Sequence, residues 1–202
     1  MNWFFDMDKP LMRGLSTVTD LMILNFLTIF CCLPVFTVGA AFSALNTVTL
    51  RSIRNEEGGI VKDYFREFRS NFKKSTLLWI GFLILTVLLV FDYILAEVFF
   101  PGFIPVVAAL AVIVLMMFFY VFALQARYEN PPLTTVKNAA MLAIGYFPKT
   151  FGMVAFALIY WIGCFTYFHV AGPLLIMFGL SLPISVNAIF FNGIFNKLEN
   201  NK

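Results

Sequence analysis

The chain has 202 residues, 61% of them hydrophobic and only 12% charged, with a net charge of +3 and a mean hydropathy of +0.88. Soluble domains carry about 25% charged residues and roughly 45–50% apolar ones, so a soluble fold of this size is excluded and a multipass membrane protein follows. The small positive balance lies beside apolar segments, which makes it an orientation signal and not a nucleic-acid-binding surface.

The opening MNWFFDMDKP carries two aspartates and is not the positively charged start of a cleavable signal. Asp8 can cap a first helix, with Lys9 and Pro10 in its first turn. Six apolar runs follow, at Leu15–Leu33, Val35–Leu50, Thr76–Val98, Phe103–Leu124, Phe151–Phe168 and Leu174–Phe195. Pro34 ends or bends the first. The second is short for a span and rich in small residues. Gly39/Ser43 and Ala40/Ala44 form small-xxx-small pairs suited to tight helix packing. The expected fold is all-α: a single integral membrane domain over residues 1–202 with six transmembrane helices. Five spans plus an interfacial or re-entrant helix is the alternative.

Two long connections, 51–75 and 125–150, hold most of the basic residues. The turns near Pro34, Pro101–Gly102 and His169–Pro173 hold no lysine or arginine. The positive-inside rule puts both long connections and the C-terminus in the cytoplasm, with the N-terminus there too if six helices span. A shift of 75 lays Val61-Lys62 on Val136-Lys137, Phe72 on Phe147 and Lys74 on Lys149. It also lays the third run on the fifth and the second on the fourth, which suggests a tandem repeat.

Two constellations are candidates for function. In KDYFREFRSNFKKS, Phe65, Phe68 and Phe72 fall at i, i+3 and i+7 and share a helical face, with Arg66, Arg69, Lys73 and Lys74 around it. Such a helix either lies on anionic lipid, packs under the bundle or docks a partner. The second constellation is an intramembrane polar site drawn from Asp20, Asn25 and Asn187. A carboxylate within a span is costly and usually faces the bundle interior or water. Asp20 is a proton or cation site on one reading and a helix-end residue paired with Arg13 on the other. Pro183 removes a helix hydrogen bond one turn before Asn187, as in the broken helices of transporters, or makes a structural kink. Asp92, Glu97 and His169 read as helix-end and interfacial residues. Three cysteines without ligand spacing and one histidine give no expected metal or cofactor. No nucleophile–base motif is present, so no catalysis is expected and no catalytic residue is assigned.

Phe4-Phe5, Pro10-Leu11-Met12-Arg13, Asp20, Asn25, Leu33-Pro34-Val35, Thr37-Val38-Gly39-Ala40 and Leu45 resemble the opening of the YesL family, domain of unknown function 624. Arg54 to Ser75, with DYFREFRSNFKKS, resembles its next block. The rest of the chain agrees in hydropathy and length. The resemblance implies a bacterial membrane protein, found largely in Gram-positive organisms, whose genes neighbour sugar-uptake systems and carbohydrate-degrading enzymes. The expectation is therefore a protein of the bacterial cytoplasmic membrane that contacts the lipid bilayer. It would act as an accessory of carbohydrate uptake, with a sugar-transporter component as partner. A small-solute transporter or channel using the polar site is the alternative. The family supplies no catalytic residues to carry over.

Overall fold

The computed structural model describes residues 10–54 and 58–200. The proposed Asp8 cap, Lys9 and the Arg13 side chain lie outside the described residues. Eight α-helices and two short 3-10 turns make up the fold among the described residues: α1 Pro10–Cys31, α2 Val38–Ile53, α3 Ile60–Phe99, α4 Ile104–Arg127, α5 Pro132–Gly145, α6 Phe147–Thr166, α7 Phe168–Phe178 and α8 Ser181–Asn200. The all-α expectation stands.

Three helical segments are long and apolar enough to cross a membrane: Ile60–Phe99, Pro101–Arg127 and Phe147–Thr166. A fourth arises if α7 and α8, bent by 51° at a break, count as one crossing. Only 11% of the most apolar window of α3 is buried inside the protein. Ile84, Val87, Phe91, Val98 and Phe99 all point outward. Apolar surface of this extent has no place in water and fits lipid contact in a multi-pass membrane protein.

The described helices therefore supply three or four spans against the six expected. The first run has its described apolar part at Ser16–Cys31, and the second forms a helix of 16 residues. The second is short of the 17–25 residues a span needs, whereas the whole of α1 runs to 22 residues. The turn between them is fixed in place, because the Trp79 indole N–H donates to the Val35 carbonyl at 2.8 Å. Trp79 is in the first turns of the apolar part of α3. Phe99, at the far end, is 20 residues or about 30 Å further along the helix axis. The Pro34 turn and the Pro101 turn thus sit at opposite ends of the apolar part of α3, not side by side as the charge pattern suggests.

α2 is the inner element. It packs on α3, α4 and α8, and Ala40, Ala41, Ser43, Ala44 and Leu45 are all fully buried. Its small residues permit this closeness. A Cβ on Gly39 would collide with the Ser75 carbonyl and the Trp79 Cβ. One core cluster joins Leu24, Ala44, Leu45, Val48, Tyr64 and Ile184 from α1, α2, α3 and α8. A larger one centres on Tyr120, Met153, Phe191, Ile194 and Phe195 of α4, α6 and α8.

The 75-residue repeat is not reproduced at the level of elements. The second run is a short buried helix, while its counterpart is the 24-residue α4. Residues 60–99 form one helix, while their counterpart is divided among α5, α6 and the start of α7. The physical reason is local. Pro148 falls where the first unit has Lys73, and a proline ends a helix just before itself.

Candidate functional site

α3 carries the basic stripe. It has 40 residues without interruption, so the charged segment and the span form a single rod about 60 Å long. The inward positions run Tyr64, Phe68, Asn71, Ser75, Leu78 and Phe82, alternating steps of four and three. Tyr64, Ser75, Leu78 and Phe82 are buried, and Phe68 and Asn71 are half-buried. Lys62, Arg66, Arg69 and Lys73 follow at i, i+4, i+7 and i+11 and are all exposed. They lie on the side of the rod away from that seam. Lys74 is also exposed, on another side.

The aromatic residues of this segment divide. Phe65 is exposed, Phe68 and Phe72 are half-buried, and Tyr64 is the fully buried ring. Phe68 stands between Tyr64 and Phe72, with ring centroids 6.5 and 5.6 Å away. Carboxylates order part of the stripe: Arg66 pairs with Asp63 at 2.7 Å, and Arg51 of α2 reaches Glu67 at 3.0 Å.

The three polar residues expected to form an intramembrane site occupy different places. Asn25 is fully buried at the break between α7 and α8. Its Oδ1 accepts from the Leu180 and Ser181 amides at 2.8 and 3.1 Å, and its Nδ2 donates to the Ile176 carbonyl at 2.6 Å. One side chain therefore serves backbone groups on both sides of the interruption, which lipid could not do. The break falls at Gly179–Leu180, and Pro183 lies in the first turn of α8, where a missing N–H costs nothing. Without the break, the Pro183 ring would meet the Gly179 carbonyl.

Asn187 lines a separate cavity of about 30 Å³ with Asn46, Phe42, Phe118, Phe119, Phe122, Ile184 and Phe191. Neither polar atom of its amide has a hydrogen-bond partner. Asp20, half-exposed, lines a third space of about 210 Å³ between α1, α2, α8 and the start of α3. The structure does not bring Asp20, Asn25 and Asn187 together.

One cluster was not anticipated from the sequence. Arg127, at the end of α4, has a side chain only 7% exposed. Its Nε and Nη2 donate to the two Glu199 carboxylate oxygens at 3.1 and 2.7 Å. Nη1 donates to Asn192 Oδ1 at 3.1 Å and Nη2 also to Asn196 Oδ1 at 3.0 Å. The Tyr128 hydroxyl donates to Glu199 at 2.8 Å. Burial pushes the Tyr128 phenol above its ordinary pKa, and the bond to Glu199 adds to this. The latch holds the ends of α4 and α8 together with a bidentate pair. Its sequence signal was available: Asn192, Asn196 and Glu199 fall at i, i+4 and i+7.

Among the described residues no group of three histidine, cysteine or acidic side chains is placed to hold a metal ion. No curated protein and no solved structure matches the chain. The model of the family described as "Protein of unknown function, DUF624" matches residues 21–93, which run from α1 through most of α3. Over that segment the chain is a match to DUF624, the family that the residues from Asp20 to Ser75 resemble.

Proposed function

We propose that this chain is a non-enzymatic accessory protein of the bacterial cytoplasmic membrane, that its basic end faces the cytoplasm, and that the stripe on α3 docks a protein component of a sugar-uptake system. The supporting observation is the continuity of α3. A hydrocarbon core is about 30 Å thick, so roughly half of a 60 Å rod stands outside it. Lys62 to Lys73 covers 11 residues, or about 16 Å, along an axis continuous with the span. A stripe so mounted points away from the bilayer instead of lying along it. That favours an acidic protein surface over a sheet of head groups. Exposed Phe65 beside the cations adds an aromatic anchor of the kind interfaces enrich.

In this topology α3, α4, α6 and the α7–α8 pair cross the bilayer, and α1–α2 is a hairpin that enters from the cytoplasmic side and turns beside Trp79. Both long basic connections then face the cytoplasm, as the positive-inside rule requires. The separation of Asp20, Asn25 and Asn187 removes the common site on which a transport reading would rest. The sugar-uptake assignment comes from the family resemblance.

Affinity purification from mild detergent tests the reading. Wild-type protein is expected to bring down a component of a sugar-uptake system. The triple reversal Lys62→Glu, Arg69→Glu, Lys73→Glu is expected to cut recovery about tenfold or more while leaving Tm unchanged, because charge complementarity steers such encounters. Recovery of no such component, together with normal sugar uptake in a deletion strain, rejects the assignment.

A further inference from the structure

An open apolar groove of about 420 Å³ runs between α3, α4 and the start of α5. Leu77, Gly81 and Leu85 line it from α3, Met117 from α4, and Leu133 and Val136 from α5. No charged side chain is among its walls. Leu133 and Leu77, at 85% and 61% exposure, mark its rim. Gly81 leaves the floor clear, since a Cβ there would meet nothing within 4 Å.

The groove has about the depth of one leaflet. Leu77 to Leu85 covers about 12 Å of α3, and half of a hydrocarbon core is about 15 Å. Lys74 continues the same face toward the basic end, one turn before Leu77 and about 5 Å further along the axis. Lys137 continues Leu133 by one turn on α5. Both lysines are exposed, and neither has an ion-pair partner among the described residues. α5 is joined to α4 through Tyr128–Pro131 and to α6 through Tyr146 alone, so it lies where those two spans end. A polar link fixes the three helices at this level. Gln125 of α4 donates to Asn71 of α3 at 3.4 Å, and the Thr135 hydroxyl of α5 donates to Gln125 at 3.4 Å. Asn71 is one turn before Lys74, and Thr135 is two residues before Lys137.

We propose that this groove binds an anionic phospholipid of the leaflet on the basic side, with one acyl chain along Gly81 and Leu85 and the phosphate drawn to Lys74 and Lys137. Lipid is the solvent around this part of α3, and an apolar groove without charged walls suits a chain. Lysine ammonium groups one turn above the groove favour a head group of net negative charge over a zwitterionic one. Lys74 is on another side of α3 from Lys62, Arg66, Arg69 and Lys73, so the lipid site and the docking stripe are separate surfaces. The proposal requires that α3 cross the bilayer and does not rest on what the stripe docks.

The test titrates the full chain in detergent with phosphatidylglycerol or phosphatidylcholine of the same acyl chains, and reads Tm and lipid retention in native mass spectrometry. Phosphatidylglycerol is expected to raise Tm saturably and to be retained, and phosphatidylcholine is not. The pair Lys74→Gln, Lys137→Gln is expected to weaken the midpoint about tenfold or more, the scale of two lysines beside an anionic surface. Gly81→Leu, which fills the floor, is expected to cut retention with both lysines in place. Lys62→Gln, Arg69→Gln, Lys73→Gln is expected to leave retention unchanged, which separates this site from the docking stripe. Should Gly81→Leu not fold, the lysine pair and the comparison of the two lipids decide. Equal retention of both lipids, phosphatidylglycerol selectivity that survives in the lysine pair, or its loss in the stripe variant overturns the proposal. A dimer that Gly81→Leu dissociates, without lipid selectivity, assigns the groove to a second copy of the chain and overturns it as well.

Discussion

Asn25 commits its side-chain amide to the backbone of another helix pair. A buried asparagine in a span invites a transport reading, since polar groups in lipid are costly and often functional. Here all three of its bonds go to the ends of α7 and α8. Its type was readable in the sequence, but its partners lie more than 150 positions away, beyond any local pattern. Asn25→Ala leaves two amides and a carbonyl unserved in a buried place. Each such group costs about 1–3 kcal/mol, so the variant is expected to lose several degrees in Tm. An unchanged melting temperature would show that the break satisfies itself. Asn187 differs: its amide is also buried but has no partner, so the two asparagines do not share a role.

At the scale of elements, Pro183 and Pro148 show how much one proline decides. Pro183 marks a discontinuity in the last apolar run, and the structure puts it four residues upstream, at Gly179–Leu180. Gly179 is needed there, because a Cβ would meet the Leu175 carbonyl and backbone. With Asn25 serving both ends of the break, the proline no longer holds it open alone. Pro183→Ala is therefore expected to change Tm by less than about 3 °C, the equivalent of under about 1 kcal/mol at this chain length. A large stabilisation would mean that the proline enforces the break against a helix that would otherwise close. Pro148 has the opposite lesson, since it separates α5 from α6 where the equivalent lysine lets α3 continue. The aromatic stripe of α3 was legible as a face, but Tyr64 and not Phe65 lies on the buried seam. Phenylalanine and tyrosine are equally apolar in pattern, and only the position of α2 selects between neighbouring faces.

At the scale of the whole molecule, the decisive measurement is the depth of the turn after Pro34. In a background with Cys31, Cys32 and Cys164 changed to serine, Gly102→Cys is expected to react with an impermeant maleimide from outside the cell. Val35→Cys is expected not to react from that side, although Val35 is 65% exposed, because its turn is tied to Trp79. Reaction of both from the same side would restore six spans.

The sequence alone determined the membrane class, the helical architecture and the segregation of lysine and arginine, because composition and hydropathy respond directly to the solvent around each segment. Lipid admits long apolar helices and little else. Tertiary structure decided the neighbours of each polar residue and which face of α3 is buried. Hydropathy reports that a segment avoids water, not whether it avoids it in lipid or against another helix. The run from Gly39 to Leu50 avoids it in protein, and its small residues are what allow α3, α4 and α8 to close around it.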